Sequence, residues 1–320
     1  MTKQEILNIL NMPEENFRKE IMPLAYDAYQ KADGKLLAVP MLGYSNICKN
    51  QCLYCGMRAG NQIPRYRFTP EQIIETVRLA HDSGYSRIFL ISGEDPKFGF
   101  ENLLHVVSEI ANMGMYISLA CGEYSQSQYK ELYAAGAREY VMKFEMAQED
   151  VFNRLNPSTS FSQRMAAIEA VKSCGFALGS GNIVGYPGHT KEMIAEDILL
   201  MKELGISWAP IIPYMPAAGT PLAKEGGFGD LITNLKEIAI LRLMMPEVKI
   251  TAQQPGKNLK NGLADPEGNL DAIHAGANVL FCDLLPEAQA EAFRVVDNRN
   301  VTGSEHIHTI AALSGLELSM

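Results

Sequence analysis

The stretch HDSGYSRIFLIS, residues 81–92, ends a helix, turns on a glycine and enters an apolar strand. The same unit recurs as ANMGMYISLAC (111–121), YAAGAREYVMKF (133–144), KSCGFALGSGNIVG (172–185), KELGISWAPIIPY (202–214) and IHAGANVLFCD (273–283). Gly84, Gly114, Gly136, Gly175, Gly205 and Gly276 each suit the left-handed position that terminates a helix. The strands after them are continuous apolar runs without alternation, as expected where both faces of a parallel sheet are buried. LLAVPMLGYS (36–45) and EVKITAQ (247–253) complete a set of eight strands. Alternating β and α elements predict a parallel sheet, and eight of them fit a closed (βα)8 TIM-type barrel. Helix starts are marked as well: Thr69-Pro70-Glu71-Gln72 supplies a cap, a first-turn proline and a capping-box partner, and Ser125 with Gln128 repeats the box.

Composition agrees with one large domain. The chain has 320 residues, 47% of them hydrophobic, and a formal net charge of −9. Its basic residues are scattered, which argues against nucleic acid as the main partner. No apolar run reaches the length of a membrane helix, so no membrane association is expected. The start, MTKQEILNIL, does not read as a signal or transit peptide, and the chain is read as cytoplasmic. Residues 1–35 are expected to be an N-terminal helical extension, 36–284 the barrel and 285–320 a C-terminal helical segment. No Pro/Gly/Ser-rich linker divides them.

Six cysteines in such a chain do not suggest a disulfide framework. Cys121, Cys174 and Cys282 stand alone. Cys48, Cys52 and Cys55 are packed into SNICKNQCLYCGMR (45–58), directly after the first strand. Barrel chemistry sits at the C-terminal ends of the strands, so this loop lies on the catalytic rim. Thiolates are soft ligands for zinc, copper(I) or iron–sulfur clusters. A structural zinc site wants a fourth ligand, and neither a fourth cysteine nor a nearby histidine follows. Three thiolates can instead hold three irons of a 4Fe–4S cube and leave the fourth open. Zinc is the second reading.

The C-x3-C-x2-C spacing, with an aromatic before the last cysteine and a barrel strand before the first, resembles the radical S-adenosylmethionine (SAM) superfamily. The resemblance spans nearly the whole chain. It implies a 4Fe–4S cluster on Cys48, Cys52 and Cys55. The open iron would chelate SAM through its amino and carboxylate groups. Reductive cleavage to a 5′-deoxyadenosyl radical would follow, under anaerobic conditions. Ser92-Gly93-Glu94 resembles the family's GGE stretch that receives the methionine amino group. Gly181–Gly185 resembles its G-x-I-x-G, with Ile183 packed on adenine. Tyr54 and the Tyr214-Met215 pair would also meet the adenine.

Within the superfamily, RYRFTPEQI (65–73), SGEDP (92–96), RLNPSTSFSQR (154–164), GNIVGYPG (181–188) and GTPLA (219–223) are similar to the group of biotin synthase, methylornithine synthase and the FeFe-hydrogenase maturase HydE, and to HydE above all. By position, Lys143, Glu145 and Arg164 would hold SAM. Lys143 stands where HydE proteins carry arginine, and lysine lacks the bidentate fork. The resemblance further implies a small-molecule substrate and an electron donor such as flavodoxin or ferredoxin. Substrate is expected inside the barrel, against Cys121, Thr251, Gln253 and Cys282, with Asp95 near the mouth. The seventh strand lacks the arginine of the sulfur-inserting enzymes, and the sixth lacks the cation of a lysine mutase. Those reactions are the alternatives to a HydE-like one. The non-enzyme alternative is an iron–sulfur scaffold, although electron carriers complete all four cluster ligands with protein groups.

Overall fold

A computed structural model describes residues 1–300 and 302–320. Eleven strands are present among them: β1 (Lys35–Ser45), β2 (Arg87–Ser92), β3 (Tyr116–Ala120), β4 (Ala137–Val141), β5 (Ala177–Gly179), β6 (Ile183–Val184), β7 (Trp208–Ala209), β8 (Ile212–Pro213), β9 (Lys249–Ile250), β10 (Val279–Asp283) and β11 (Glu317–Ser319). The main sheet runs β10-β1-β2-β3-β4-β5-β7-β9, with every pairing parallel. Its two ends meet where Thr251 bridges Val279. Ala252 N–H donates to Val279 O at 2.7 Å, and Asn278 N–H donates to Ile250 O at 2.9 Å. The ring of eight is the expected barrel.

The six strand-leading glycines all have positive φ, from +63° to +122°. Gly205 is the plainest case: at φ 63° and ψ 48° it caps the helix Lys191–Leu204 in the left-handed region, where a β-carbon would be strained. The boxes at Thr69–Gln72 and Ser125–Gln128 are both formed.

Two expected strands are interrupted. The fifth is divided into β5 and β6, and the sixth into β7 and β8. The second pieces leave the ring and pair with each other, Ile183 with Ile212 and Val184 with Pro213. Pro210 lies at the break and has no N–H to continue the ladder. The result is a small two-stranded rim above the barrel.

The tail also differs from the expected helical segment. After the helices Glu287–Ala292 and Ser304–Ser314 comes β11, which pairs with the start of β1, Lys35 with Glu317 through Leu37 with Ser319. At the other end of the chain, the helices Lys3–Asn11 and Met22–Ala32 pack on the barrel's flank. There Lys236 Nζ donates to Leu10 O at 3.1 Å, and Arg18 grips Asp271 with both guanidinium arms.

The inside of the ring is filled by Val39, Met41, Phe89, Val141, Trp208 and Val279, with Leu37, Ile91, Ala120 and Phe281 against them. Alternate residues of the same strands, such as Ala38, Leu42, Ile88 and Leu90, belong to the layer under the helices. Phe89, Trp208 and Phe281 form an aromatic floor, with centroids 5.0–5.8 Å apart. Below the floor Lys249 pairs with the buried Glu139, and its ammonium lies 5.5 Å from the Trp208 ring centroid.

Candidate active site

Above the floor, β1 delivers the chain into the cysteine loop. One guanidinium organises the loop's backbone: Arg65 Nη1 donates to Asn46 O (2.7 Å) and Met57 O (2.8 Å), and Nη2 to Arg58 O (2.7 Å) and Asn61 O (3.0 Å). Asn46 Nδ2 ties the loop's start to Pro64 O and Ala292 O, both at 2.7 Å. Two glycines let other backbones come close. A β-carbon on Gly93 would stand 2.3 Å from Ile47 O and 2.8 Å from the Cys48 Cβ, and one on Gly56 would stand 2.1 Å from Arg294 O. The end of β2 and the segment after residue 292 therefore clasp the loop from two sides.

Cys48, Cys52 and Cys55 are all partly buried, and their thiols lie close enough to raise one another's pKa. Burial pushes all three upward as thiols, Cys52 to about 12. Among the described residues no three His, Cys, Asp or Glu side chains converge tightly enough to hold a single ion. That bears on a mononuclear zinc site. A cube spreads its ligands over separate corners, one thiolate per iron, and the donor set of three thiols fits it.

Three ion pairs surround the loop. Lys49 Nζ lies 2.9 Å from Glu94 Oε2, and the Glu94 carboxylate also accepts from Glu123 N–H at 3.2 Å. Glu94 rests on Gly122, whose φ is +101° and where a β-carbon would come within 2.2 Å of the Glu94 Cγ. Arg164 Nε donates to Glu123 Oε1 at 2.7 Å, and Nη1 donates to Lys143 O. Lys143 Nζ lies 3.1 Å from Glu145 Oε2 as an ion pair without hydrogen-bond direction. Glu145 has φ 62°, rare for a side-chain-bearing residue. Its N–H donates to Gly181 O and its carbonyl accepts from Ile183 N–H, both at 3.0 Å, which stitches the chain after β4 to β6. Glu123 was not singled out from the sequence. The Gly122-Glu123 pair at the end of the third strand mirrors Gly93-Glu94 at the end of the second, and that repetition was the available signal.

The residues expected at adenine are gathered by the fold. Tyr54, Ile183 and Tyr214 share one apolar cluster with Met146, Phe152, Leu155, Tyr186 and Leu222. Tyr54 Oη donates to Asn156 Oδ1 at 2.7 Å. The backbone of Tyr214 is already committed, its N–H to Val184 O (2.7 Å) and its carbonyl to Gly229 N–H (2.8 Å). Among the described residues no backbone partner is found for the buried Met215. Ser92 places its hydroxyl beside Tyr44 and Cys121.

The expected substrate wall is largely redistributed. Cys121 follows β3 on the helix-facing side, its thiol 3.7 Å from Leu90 O and pushed up by burial to about 11. Cys282 of β10 faces the same layer, beside Tyr85. Their parity matches Leu119 and Leu280, which face the helices, so neither thiol enters the ring. Asp95 is buried under Arg67, which approaches through Nε (2.6 Å) and Nη2 (2.5 Å), and it accepts from Ser45 Oγ at 2.7 Å. It fastens the end of β1 and does not face a mouth. Gln253 lies in the barrel seam, its amide occupied by Phe281 and Thr302. Thr251 does face inward, accepting from Trp208 Nε1 at 3.3 Å.

The molecule is a parallel barrel with a three-thiol loop at its rim, and comparison with known proteins gives the family. The radical SAM superfamily model matches residues 42–201. The chain is 32% identical over 296 residues to the FeFe hydrogenase maturase subunit HydE of Thermotoga maritima, over 92% of this chain and 83% of that one. It is 28% identical to 3-methylornithine synthase of Methanosarcina barkeri, over 78% of this chain and 69% of that one. The crystal structure of methylornithine synthase (PylB) superposes with a TM-score of 0.87 at 22% identity, covering 100% of this chain and 94% of that one, and shows the shared fold. The chain belongs to the radical SAM superfamily and is a radical SAM enzyme.

Proposed function

We propose that this enzyme holds a 4Fe–4S cluster on Cys48, Cys52 and Cys55, binds SAM beside it, and acts on a small substrate in FeFe-hydrogenase cofactor maturation or a closely related reaction. The reading is carried by the clasped thiol loop ringed by Lys49–Glu94, Arg164–Glu123 and Lys143–Glu145. SAM brings an ammonium and a carboxylate of its own, and each can replace one member of such a pair at little net cost in charge. Glu94 would receive the ammonium, and Arg164 the carboxylate. Tyr54, Ile183 and Tyr214 would enclose the adenine, with the backbone of Met215 available to its polar edge.

Held there, a cluster and SAM would supply radical chemistry on receipt of an electron from a flavodoxin- or ferredoxin-type donor. The chain's own residues exclude water from that chemistry. Above the aromatic floor the apolar Met41, Ile91, Ala120 and Val141 share the interior with Thr251 and, by strand parity with Phe281, with Asp283, which pairs with Arg299, so the interior suits a compact molecule close to the rim. Confinement there would hold a substrate C–H bond against the bound cofactor.

The test is anaerobic reconstitution followed by SAM and dithionite. Release of 5′-deoxyadenosine supports the enzyme, and an inert stable cluster supports the scaffold alternative. Deuterium transfer into 5′-deoxyadenosine from cysteine-bound iron carbonyl species, small amino acids or dethiobiotin then identifies the substrate class. Label from dethiobiotin alone would replace the HydE-like reading with sulfur insertion, and label from an amino acid with rearrangement would favour a mutase.

A further inference from the structure

Behind the adenine-side cluster lies a polar network that the SAM reading does not use. Asn182 sits inside GNIVG, next to Ile183, and is fully buried. Its Nδ2 donates to Asp197 Oδ2 at 2.8 Å. Asp197, on the helix Lys191–Leu204, is also fully buried and accepts from Ala147 N–H at 2.8 Å. His189 Nδ1 accepts from Gly185 N–H at 3.0 Å, so its Nε2 carries the proton directed at Asp197 Oδ2, 3.1 Å away. Asp197 thus faces three donors, one on Oδ1 and two on Oδ2.

Glu237 presents the opposite case. It projects from the helix Leu231–Met244, is wholly buried, and neither of its oxygens has a partner. The Asn182 amide lies beside it, and Asp197 and Lys143 are the charged groups that act on it. Asn182 Oδ1 is itself buried without a donor. Two buried acceptors without donors, on side chains that lie against each other, are costly, and one proton on Glu237 would let them bond. Burial drives the Glu237 carboxyl well above the ordinary range, with Asp197 adding in the same direction and the Asn182 amide and Lys143 opposing it without reversing it. Where two carboxyls share a site and only one is given donors, the environment assigns the proton to the other.

We infer that Glu237 is a neutral carboxylic acid whose hydroxyl donates to Asn182 Oδ1, making it a positioning residue for the strand that packs on SAM. The network joins Ile183, Gly185 and the Glu145–Ala147 turn from behind, so both the adenine wall and Glu145 depend on it. The inference rests on the SAM reading above for its consequence, but not for its protonation.

The experiment uses the full chain, wild type and the variants E237Q and E237L. Infrared spectra at about pH 8, where ordinary carboxyls are ionised, should show a protonated-carboxyl C=O stretch that shifts in D2O and is missing from E237Q. E237Q retains a donor and should keep SAM affinity after cluster reconstitution. E237L leaves Asn182 Oδ1 unpaired and should weaken SAM binding about tenfold at unchanged iron content. Identical infrared spectra for wild type and E237Q would overturn the inference, as would E237Q losing as much affinity as E237L. If E237L does not fold, the spectrum and the E237Q affinity decide between the outcomes. Failure of the SAM reading would appear separately, as absence of SAM binding by the wild type, with the infrared result standing by itself.

Discussion

Gln253 and Phe281 pair across the barrel seam as though both were strand backbone. Gln253 Nε2 donates to Phe281 O at 2.8 Å, and Phe281 N–H donates to Gln253 Oε1 at 2.9 Å. β9 ends at Ile250 and the main-chain bonds across the seam run on to Ala252 N–H, after which a side-chain amide extends the ladder by another rung. Gln253→Leu should therefore destabilise the fold by about 1–3 kcal/mol, because it strands the buried Phe281 N–H and leaves the Phe281 carbonyl with Thr302 Oγ1 alone. Gln253→Glu should be similarly harmful, since the carboxylate cannot donate. Chemical denaturation is the measurement, and a variant as stable as wild type would show the seam closes without the amide.

Cluster loading should depend on the three rim cysteines and on no other. Cys48→Ala, Cys52→Ala and Cys55→Ala should each lose iron retention and SAM cleavage after reconstitution. Cys174→Ala should keep both, because Cys174 closes the helix Phe161–Ser173 through its backbone N–H and its thiol donates to Gln126 O, 3.6 Å away, at the opposite end of the barrel strands. Iron analysis with 5′-deoxyadenosine quantification decides it. Stoichiometric tight zinc without iron would contradict the cluster.

Arg164 is held between Glu123 and the Lys143 carbonyl before any ligand arrives. Arg164→Ala should weaken SAM binding by about 1.5–3 kcal/mol, the scale of a charge-assisted contact. Glu94→Ala should act in the same direction by removing the ammonium acceptor. Unchanged SAM affinity in both variants, measured by equilibrium binding to reconstituted protein, would place SAM elsewhere.

His306 gives the fold a modest acid sensitivity. It sits half-buried on the helix Ser304–Ser314, its Nε2 2.9 Å from Asn269 Oδ1, and burial lowers its pKa below 6.5. The unfolded chain then binds the proton more readily than the folded one, so stability rises with pH across that interval. Unfolding free energy should fall as pH drops below 6.5, down to the folded-state value, and His306 should add no slope above it. His306→Gln keeps a donor without titrating and should reduce that slope in denaturation curves measured across the same interval.

Much of this architecture was readable because its signals are local. A glycine at a helix end, a capping box or three crowded thiols each act within a few residues, and all were found where expected. What was not readable depends on which face a buried strand presents. Parallel barrel strands are apolar on both sides, so nothing in LFCD or SLAC distinguishes a wall of the interior from the layer under the helices. Cys121 and Cys282 were misplaced for that reason. Gln253 and Asp95 looked like cavity groups because a polar residue at a strand end is ambiguous until its partners, here Phe281 and Arg67, are brought from far along the chain. Pro210 did carry a readable warning that the sixth strand would break.

The aromatic floor of Phe89, Trp208 and Phe281 has a consequence for traffic. With the axis stopped by three rings, and Lys249 and Glu139 sealed beneath them, the barrel has no through-passage. Whatever enters must leave by the door it came through, on the side of the cysteine loop. On the proposed reading, a nucleoside cleaved from SAM would sit beside that same door, and a product held deeper in the barrel would have to wait for it to clear.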